Sequence, residues 1–299
     1  MSNTLPLLTR LMKSRLALSI TKMSSLVLNK IAPNWTYKKV EDLFLIPKSR
    51  TIDIGKIPHR IKPFQIDTKT GTLQAYRLGR GPVVILVHGW SGGAYQFFPL
   101  MRGLSQCGFQ AIAFDHFGHG HSDGEHASLN SFTQAVNSVL QVVSSKSSDG
   151  IAAIVGHSMG CIAIANARQN LINETPLFFI SPVFNFKKYF IKQVKLQGLH
   201  PKLLKQCLAK FERSYLKNLD DMELKPKLAA YAANTVIVHD KEDKESGILD
   251  SIKFCSAYPL TKLVVTKGYG HSRIINSESI WQELKAHLNY EDITANPFN

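Results

Sequence analysis

Residues 151–161 have the sequence Ile-Ala-Ala-Ile-Val-Gly-His-Ser-Met-Gly-Cys, and the fold can be inferred outward from them. Residues 151–155 form an apolar run with the length of a buried strand, and an apolar helical pattern begins near Cys161. Between them lies a Gly-x-Ser-x-Gly motif centred on Ser158. A sharp turn from strand to helix exposes such a serine in a strained conformation, and side chains at the two glycine positions would collide with neighbouring backbone. The stretch therefore predicts a nucleophilic serine at a strand-to-helix turn.

The same alternation of apolar runs and helical patterns extends along most of the chain. Strands are predicted over residues 72–78, 83–88, 110–115, 151–155, 177–181, 235–239 and 262–266, and helices near 95–106, 131–145, 158–170 and 277–289. Strands that alternate with helices need crossover connections, which predicts an α/β fold with a mostly parallel central sheet flanked by helices. Residues 183–230 interrupt the alternation, because they are Lys-rich and helical with no convincing strand. We interpret them as a helical cap inserted over the carboxyl edge of the sheet.

These patterns divide the chain into four segments. Residues 1–62 form a basic N-terminal arm, an amphipathic helix followed by a linker; residues 63–182 form the first part of the core, 183–230 the cap and 231–299 the second part of the core. The length of 299 residues and the hydrophobic content of 44% suit a large α/β core and exclude a collagen-like or wholly disordered chain. No apolar run reaches about 18 residues, which argues against a membrane-spanning helix.

The net charge of +14 is unevenly distributed along the chain. The arm holds 12 Lys and Arg against 3 Asp and Glu, and residues 187–227 hold 11 against 4. All other residues together hold 13 against 15, as in an ordinary enzyme core. Because the excess positive charge is confined to two segments, we expect no nucleic-acid partner despite the basic composition.

The arm begins with the pattern of a basic amphipathic helix, in which apolar residues recur every three or four positions and Lys and Arg interleave with them. The apolar positions are Leu5, Leu8, Met12, Leu16, Met23, Leu26 and Val27, and the basic positions are Arg10, Lys13, Arg15, Lys22 and Lys30. Two interpretations stay open: the arm contacts an anionic membrane surface peripherally, or it packs on its own domain and the cap lysines form a solvated face. A targeting peptide is a third, although basic residues break the apolar stretch.

Two further motifs accompany the turn at Ser158. His88-Gly89-Trp90 ends one predicted strand, and Asp-His-Phe-Gly-His-Gly-His-Ser, residues 115–122, ends the next. With these motifs the chain resembles the α/β-hydrolase family over most of its length, in the serine-nucleophile branch that includes esterases, lipases and thioesterases. It is also similar to a group of bacterial hydrolases with a capped core. The resemblance implies the α/β-hydrolase fold and acyl hydrolysis without a cofactor.

The resemblance also implies a catalytic triad with Ser158 as the nucleophile. The expected base is His271, in Gly-Tyr-Gly-His-Ser at residues 268–272, because it follows a predicted strand and precedes the last helix. The acid is Asp243 or Asp240, and the family's usual position, a few residues beyond the strand end, favours Asp243. A serine hydroxyl needs an imidazole that accepts its proton, and the imidazole needs a carboxylate that fixes its tautomer.

Two backbone N–H groups are expected to form the oxyanion hole. Met159 follows the nucleophile at the start of a helix, where the first N–H groups have no intrahelical partner. The resemblance assigns the second donor to the backbone of Trp90. Each such donor lowers the barrier by roughly 3–4 kcal/mol in comparable sites.

Neither a metal nor a cofactor is expected. Four histidines crowd one loop, at His116, His119, His121 and His126, but their spacing fits no zinc template. The four cysteines are scattered, which favours a reducing, cytoplasmic location, with the inner membrane surface as the alternative if the arm docks there.

The sequence therefore predicts a serine hydrolase that cleaves a carboxylic ester or a thioester through an acyl-serine intermediate. A small-molecule ester or thioester is the expected partner of the site. Two alternatives stay open, an acyltransferase that uses the same triad and a non-catalytic binding module with this fold. The presence of Ser, Asp and His together argues against the binding module.

Overall fold

The structure, a computed structural model, describes residues 29–48, 51–172, 175–196, 200–215 and 223–289, together with residues 23, 24 and 27. The chain forms two compact units. The sheet unit comprises residues 46–185 and 222–299, and the helical unit comprises residues 1–45 and 186–221. Most of the predicted amphipathic stretch, from Leu5 to Lys22 and at Leu26, lies outside the described residues.

The sheet unit is built on eight strands: β1 (Lys62–Thr68), β2 (Gly71–Leu78), β3 (Val83–Val87), β4 (Gln110–Phe114), β5 (Ile151–His157), β6 (Leu177–Ile180), β7 (Thr235–Asp240) and β8 (Lys262–Thr266). Their spatial order is β1-β2-β4-β3-β5-β6-β7-β8. β2 runs antiparallel to both of its neighbours, and all the pairs from β4 across to β8 are parallel. The carboxyl ends of the parallel strands therefore share one edge, where the predicted site residues follow β3, β5, β7 and β8.

The helices, numbered along the chain, are α1 (Pro33–Leu45), α2 (Phe98–Gln106), α3 (Leu129–Lys146), α4 (Met159–Ala165), α5 (Gln169–Ile172), α6 (Phe186–Leu196), α7 (Pro201–Tyr215), α8 (Leu224–Leu228), α9 (Leu249–Ala257), α10 (Gly270–Arg273) and α11 (Glu278–His287). Short 3₁₀ helices cover Ile54–Lys56, Ala94–Phe97, Ala229–Asn234 and Ile274–Asn276. Ser128 caps α3, because its side chain accepts the Ser131 N–H while the Ser131 hydroxyl accepts the Ser128 N–H.

An apolar cluster joins α2 and α11 to one face of the sheet. Alternate residues of the central strands contribute to it, as the two-residue period of a strand requires. They are Val84 and Leu86, Ala111 and Ala113, Ala153 and Val155, Phe178 and Ile180, and Val236 and Val238. Phe97 and Trp281, among the largest fully buried side chains, fill the space between the helices and this face. The core therefore fixes the strand ends from which the site loops project.

The turn at Ser158 is closely packed around the glycine on each side. A Cβ atom at Gly160 would lie 2.5 Å from the carbonyl oxygen of Val87 and 2.7 Å from that of His88. A Cβ atom at Gly156 would lie 2.7 Å from Ile164 Cδ1 and 3.1 Å from backbone atoms of Cys161. The backbone oxygens leave no space for a Cβ at Gly160, and a Cβ at Gly156 would displace the Ile164 side chain, so the two glycines let α4 approach the ends of β3 and β5.

The helical unit brings the described part of the arm together with the 186–221 insertion. α1 packs on α7, with the ammonium of Lys210 3.6 Å from the centre of the Tyr37 ring. The Asn29 side-chain amide donates to Gln206 Oε1 at 3.1 Å. Among the described residues, no helix has the length and apolar character that crossing a membrane requires.

All seven predicted strands are present, and the predicted α/β class with a mostly parallel sheet is confirmed. β1 was missed, because Ile66 is its single buried residue and it pairs only with β2 at the edge of the sheet. α9 was also missed. Residues 46–61 belong to the sheet unit, whereas the sequence pattern assigned them to the arm. The placement of the cap over the sheet edge stays a prediction.

Candidate active site

Ser158 occupies the turn between β5 and α4, with φ of 54° and ψ of −119°. This left-handed conformation is unusual for a residue with a side chain and stores strain. Its N–H donates to the carbonyl oxygen of Ile180 at 3.0 Å, which fixes the turn to the end of β6. The side chain is 3% exposed.

Ser158, His271 and Asp243, the three residues predicted as a triad, lie within hydrogen-bond distance of one another in series. His271 Nε2 is 2.8 Å from Ser158 Oγ. His271 Nδ1 is 2.7 Å from Asp243 Oδ2, and because the carboxylate only accepts, Nδ1 donates. Nε2 of the neutral ring then carries the lone pair and accepts the serine O–H, which is the arrangement that proton removal from the serine requires.

Asp240, the alternative acid, has different partners. Its Oδ1 accepts the Glu242 N–H at 2.9 Å, and its Oδ2 accepts the Thr266 hydroxyl at 2.8 Å and the Tyr269 N–H at 3.1 Å. Burial raises the pKa of Asp240, but these hydrogen bonds outweigh burial and lower it overall. Asp240 therefore ties the end of β7 to the loop that carries His271.

Asp243 is surrounded by donors. Oδ1 accepts the backbone N–H groups of Glu245 at 2.8 Å and Ser246 at 3.0 Å, and Oδ2 accepts the Ser246 hydroxyl at 2.8 Å. Oδ2 also lies 3.2 Å from Nε2 of a second histidine, His239. Burial raises the pKa of Asp243, but the hydrogen bonds from His239 and His271 hold it far below the ordinary carboxyl value. The carboxylate therefore stays ionised throughout the range in which a histidine titrates.

The two residues predicted to supply oxyanion donors flank the nucleophile. Met159 is the first residue of α4, so its N–H lies in the turn that has no intrahelical acceptor. The 88–90 turn passes directly beside Ser158, because a Cβ at Gly89 would lie 2.8 Å from Ser158 Cβ. A side chain at position 89, directly before Trp90, would therefore collide with Ser158.

Buried, neutral histidines support this turn. His88 Nδ1–H donates to Gly89 O at 2.7 Å, and His88 Nε2 accepts the His116 N–H at 3.1 Å. His119 Nε2 accepts the Ser91 N–H at 3.1 Å. Burial lowers the pKa of His119 to about 4, and it lowers the pKa of His88 and of His116 well below the ordinary value. These rings act as fixed donors and acceptors.

His157, between the first glycine and the nucleophile, supports the base. Its Nε2–H donates to the carbonyl oxygen of His271 at 2.9 Å. Burial, followed by repulsion from His271, lowers the pKa of His157 to about 3, so the ring is neutral at ordinary pH. Its hydrogen bond holds the backbone of His271 next to the turn at Ser158.

A pocket of about 370 Å³ opens beside His271. Four of its lining residues are charged, namely Glu242, Lys244, Glu245 and Arg273, and the others are Tyr269, Gly270, His271 and Ser272. Glu245 Oε2 lies 3.8 Å from His271 Nε2. The space next to the base is therefore polar.

Within the described ranges, no group of three or more His, Cys, Asp and Glu side chains is arranged to hold a metal ion. Cys107, Cys161 and Cys207 are buried, and Cys255 is partly buried, all as free thiols. Burial raises the pKa of Cys161 well above its ordinary value, so this thiol next to the nucleophile turn is protonated and packs as an apolar residue.

Comparison with known proteins identifies the family. The family model described as "Serine aminopeptidase, S33" (Hydrolase_4) matches residues 80–259, which is more than half of the chain. The chain belongs to this family of α/β-hydrolase serine hydrolases. The match covers the 88–90 turn, the Ser158 turn and both candidate acids, and it ends before His271.

Two curated relatives are about a third identical to this chain over a little more than 100 residues. A monoglyceride lipase homolog of monkeypox virus is 34% identical over 107 residues, which are 34% of this chain and 39% of that protein. The human monoglyceride lipase is 33% identical over 105 residues, 34% of this chain and 35% of that protein. The chain thus matches little more than a third of the length of these relatives.

Solved structures share the fold. An esterase of Pyrococcus furiosus superposes with a TM-score of 0.63 at 15% identity, over 81% of this chain and 98% of that one. Mouse alpha/beta hydrolase domain-containing protein 10 superposes with a TM-score of 0.58 at 16% identity, over 76% of this chain and 97% of that one. The α/β-hydrolase fold that the resemblance implied is confirmed.

Three residues of the site escaped the sequence analysis: His239, Ser246 and Ser251. His239 is the fifth of the six residues of β7 and follows three apolar residues, so the sequence alone indicates a packing residue. Ser246 and Ser251 belong to no recognisable sequence motif. The one available signal was His239 itself, because a histidine one position before a buried aspartate at a strand end is a polar group that needs a partner.

We predict that His116→Phe stabilises the protein. Both ring nitrogens of His116 are buried without a hydrogen-bond partner, and the ring stacks on Phe132 at 3.7 Å between centroids. Removing an unsatisfied polar ring is expected to raise the free energy of unfolding by about 1–2 kcal/mol at pH 7. The gain should grow towards pH 5, since unfolded His116 takes up a proton below its ordinary pKa of about 6.5 while the folded ring stays neutral.

Urea denaturation at pH 7 and pH 5 measures both effects, and His59→Phe at an exposed position is the control. A loss of stability in His116→Phe, or a gain that shrinks at pH 5, would contradict the prediction.

Proposed function

We propose that the chain is a serine hydrolase that cleaves carboxylic esters through an acyl-Ser158 intermediate. The observation that supports this best is the continuous series of hydrogen bonds from Ser158 Oγ through His271 to Asp243, with distances of 2.8 and 2.7 Å. The three residues come from loops after β5, β7 and β8, so the sheet brings them together from distant parts of the sequence.

In the proposed reaction, Ser158 Oγ bonds to the carbonyl carbon of the ester while its proton moves to His271 Nε2. The tetrahedral oxyanion is stabilised by the backbone N–H groups of Met159 and Trp90. Collapse breaks the bond to the alkoxy group, which leaves as an alcohol after taking the proton from His271 Nε2. Water then attacks the acyl-serine by the same route and releases the carboxylic acid. Asp243 stays ionised and stabilises the imidazolium.

The polar pocket lies beside His271, the residue that protonates the leaving group, and so we assign it to the alcohol part of the substrate. Its charged and hydroxyl-bearing lining suits an alcohol that carries further hydroxyl groups. Two relatives are named as a monoglyceride lipase and its homolog, which favours an ester over a thioester or an amide.

The first prediction for this function concerns the nucleophile. Ser158→Ala and His271→Ala should each reduce hydrolysis of p-nitrophenyl butyrate and glyceryl monobutyrate on the order of 10⁴-fold or more, and the double variant should be little worse than either, because triad members act as a unit. A fluorophosphonate probe should label the unsubstituted chain and fail to label Ser158→Ala.

Near-normal turnover by Ser158→Ala would overturn the proposal. Labelling without release of acid, but with transfer of butyrate to an added alcohol, would indicate the acyltransferase. No labelling of the unsubstituted chain would indicate the binding module.

The second prediction separates the two candidate acids. Asp243→Asn should lower kcat/KM on the order of 10³-fold or more, because the amide no longer holds His271 in the required tautomer. Asp240→Asn should change kcat/KM less than about tenfold and lower the free energy of unfolding by about 1–3 kcal/mol, because its partners Thr266 and Tyr269 lose a charged acceptor. Steady-state kinetics and urea denaturation measure both, and a reversed order would identify Asp240 as the acid.

We also propose that the arm contacts an anionic membrane surface. Met23, Val27, Ile31 and Trp35 follow one another at four-residue spacing, with 61, 49, 75 and 54% of their surfaces exposed. Thr36 and Val40 are buried instead. The four exposed residues therefore form an apolar stripe that is distinct from the buried positions of the arm. The helical unit holds 16 Lys and Arg against 5 Asp and Glu, a net +11 out of +14. An exposed apolar stripe on a strongly basic unit matches the chemistry of an anionic lipid surface.

We predict that Ile31→Ser combined with Trp35→Ser weakens binding to vesicles of phosphatidylglycerol and phosphatidylcholine about tenfold or more, because two apolar side chains no longer enter the interface. Leu260→Ser, at a 76% exposed leucine of the sheet unit, is the matched control and should leave binding unchanged. Hydrolysis of p-nitrophenyl butyrate should be retained in both. If the unsubstituted chain ignores these vesicles at low salt, the stripe is not a membrane surface.

A further inference from the structure

Asp243 has two histidine partners. Besides His271, whose Nδ1 lies 2.7 Å from Asp243 Oδ2, the side chain of His239 places its Nε2 at 3.2 Å from the same oxygen. His239 is the fifth residue of β7 and is fully buried. On its other nitrogen, Nδ1 lies 2.7 Å from the hydroxyl oxygen of Ser251, a fully buried residue of α9.

The contact with Asp243 fixes the position of one hydrogen on His239. A carboxylate oxygen can only accept, so Nε2 of His239 must carry a hydrogen and donate it to Asp243. When the ring carries only this hydrogen, Nδ1 is an acceptor and the Ser251 hydroxyl donates to it. The resulting series, Ser251 to His239 to Asp243, has the same residue types as the series from Ser158 through His271, and both end on one oxygen atom.

We infer that His239 and Ser251 are a positioning pair for the acid of the proposed triad, an inference that rests on the proposed function. His239 fixes the rotation of the Asp243 carboxylate, and Ser251 fixes the ring and the tautomer of His239. His239 contacts Asp243, and Ser251 contacts His239, so both residues act through Asp243. The pair also withdraws part of the negative charge that Asp243 presents to His271.

Replacing His239, and with it the hydrogen bond to Asp243, is expected to have two consequences. The carboxylate gains rotational freedom, so fewer molecules hold His271 ready to accept the serine proton, and kcat falls. The same carboxylate, with one donor fewer, attracts a proton on His271 more strongly, so the inactive protonated form of the enzyme persists to higher pH. If His239 only filled space, a replacement that preserves the fold would change neither kcat nor the pH profile.

Other polar groups also lie close to Asp243 and His271. The Ser246 hydroxyl donates to Asp243 Oδ2 at 2.8 Å and lies 3.5 Å from His239 Nε2. Glu245 Oε2 lies 3.8 Å from His271 Nε2, and the His157 ring lies 5.0 Å from the His271 ring. Because these groups remain in every variant below, a shift in the pH profile reports on His239.

The test compares His239→Phe, which keeps the ring shape and removes the donor, with His239→Gln, whose amide can still donate to Asp243. His239→Phe should lower kcat about fivefold, the factor of one ordinary hydrogen bond, and should move the acid limb of the kcat/KM profile upward by a few tenths to about one pH unit. His239→Gln should restore most of both. Ser251→Ala should lie between the unsubstituted chain and His239→Phe. His287→Phe on α11, beside Phe178, is the matched control and should leave the profile unmoved.

A second measurement needs no turnover. In the ¹⁵N-labelled full chain, histidine side-chain correlations should show a hydrogen on Nε2 of His239 and on Nδ1 of His271, both at low field, and His239→Gln should remove only the former. An Nε2 of His239 without a hydrogen would overturn the inference, as would an unmoved pH profile in a folded His239→Phe. Should His239→Phe fail to fold, the resting spectrum and Ser251→Ala decide. The NMR result stands whatever Ser158→Ala shows, so failure of the proposed function and failure of the inference are distinguishable.

Discussion

The site depends on one backbone constraint, the left-handed conformation of Ser158 between β5 and α4. A residue in this conformation turns the chain so sharply that α4 starts immediately against the end of β3, with Gly160 in contact with two carbonyl oxygens. The same geometry places the first N–H of α4 beside the serine side chain and leaves no room for a Cβ at Gly89. The nucleophile, the helix N-terminus and the 88–90 turn are therefore brought together by one tight turn.

Burial and hydrogen bonds set the charge state of several ionisable groups around this turn. Histidines with one or two backbone partners, such as His88 and His157, are neutral because their burial is not offset by an anion. Asp243 is buried as well, but five hydrogen-bond contacts to its two oxygens keep it ionised. Because Asp243 accepts from Nδ1 of His271, this ring holds its hydrogen on Nδ1, which is the condition for the opposite nitrogen to act as a base.

The sequence predicted those features that are local and missed those that are not. β3, β5 and β7 are apolar runs of strand length, and the turn at Ser158 is a motif with its own steric reason, so both could be predicted. β1 is an edge strand with one buried residue, which leaves no periodic signal. Asp240 and Asp243 are only three positions apart in the sequence. Their partners differ, Thr266 for Asp240 and His271 for Asp243, and both contacts depend on the fold and not on a local pattern. The contact of α1 with α7 joins segments more than 150 residues apart, which no local pattern reports.

The strain at the nucleophile is part of a wider pattern along the carboxyl edge of the sheet. Among the described residues, four non-glycine residues have positive φ, and three of them are serines that follow the adjacent strands β3, β5 and β6: Ser91, Ser158 and Ser181. Each has its N–H bound: Ser91 to His119 Nε2, Ser158 to the carbonyl oxygen of Ile180, and Ser181 to that of Val238. The last two bonds extend the parallel ladder one residue beyond the strands, so the pairing that stabilises the sheet also holds the strained turns. Relaxing Ser158 to an ordinary conformation would strain its bond to Ile180, so the pairing of β5 with β6 holds the turn in place.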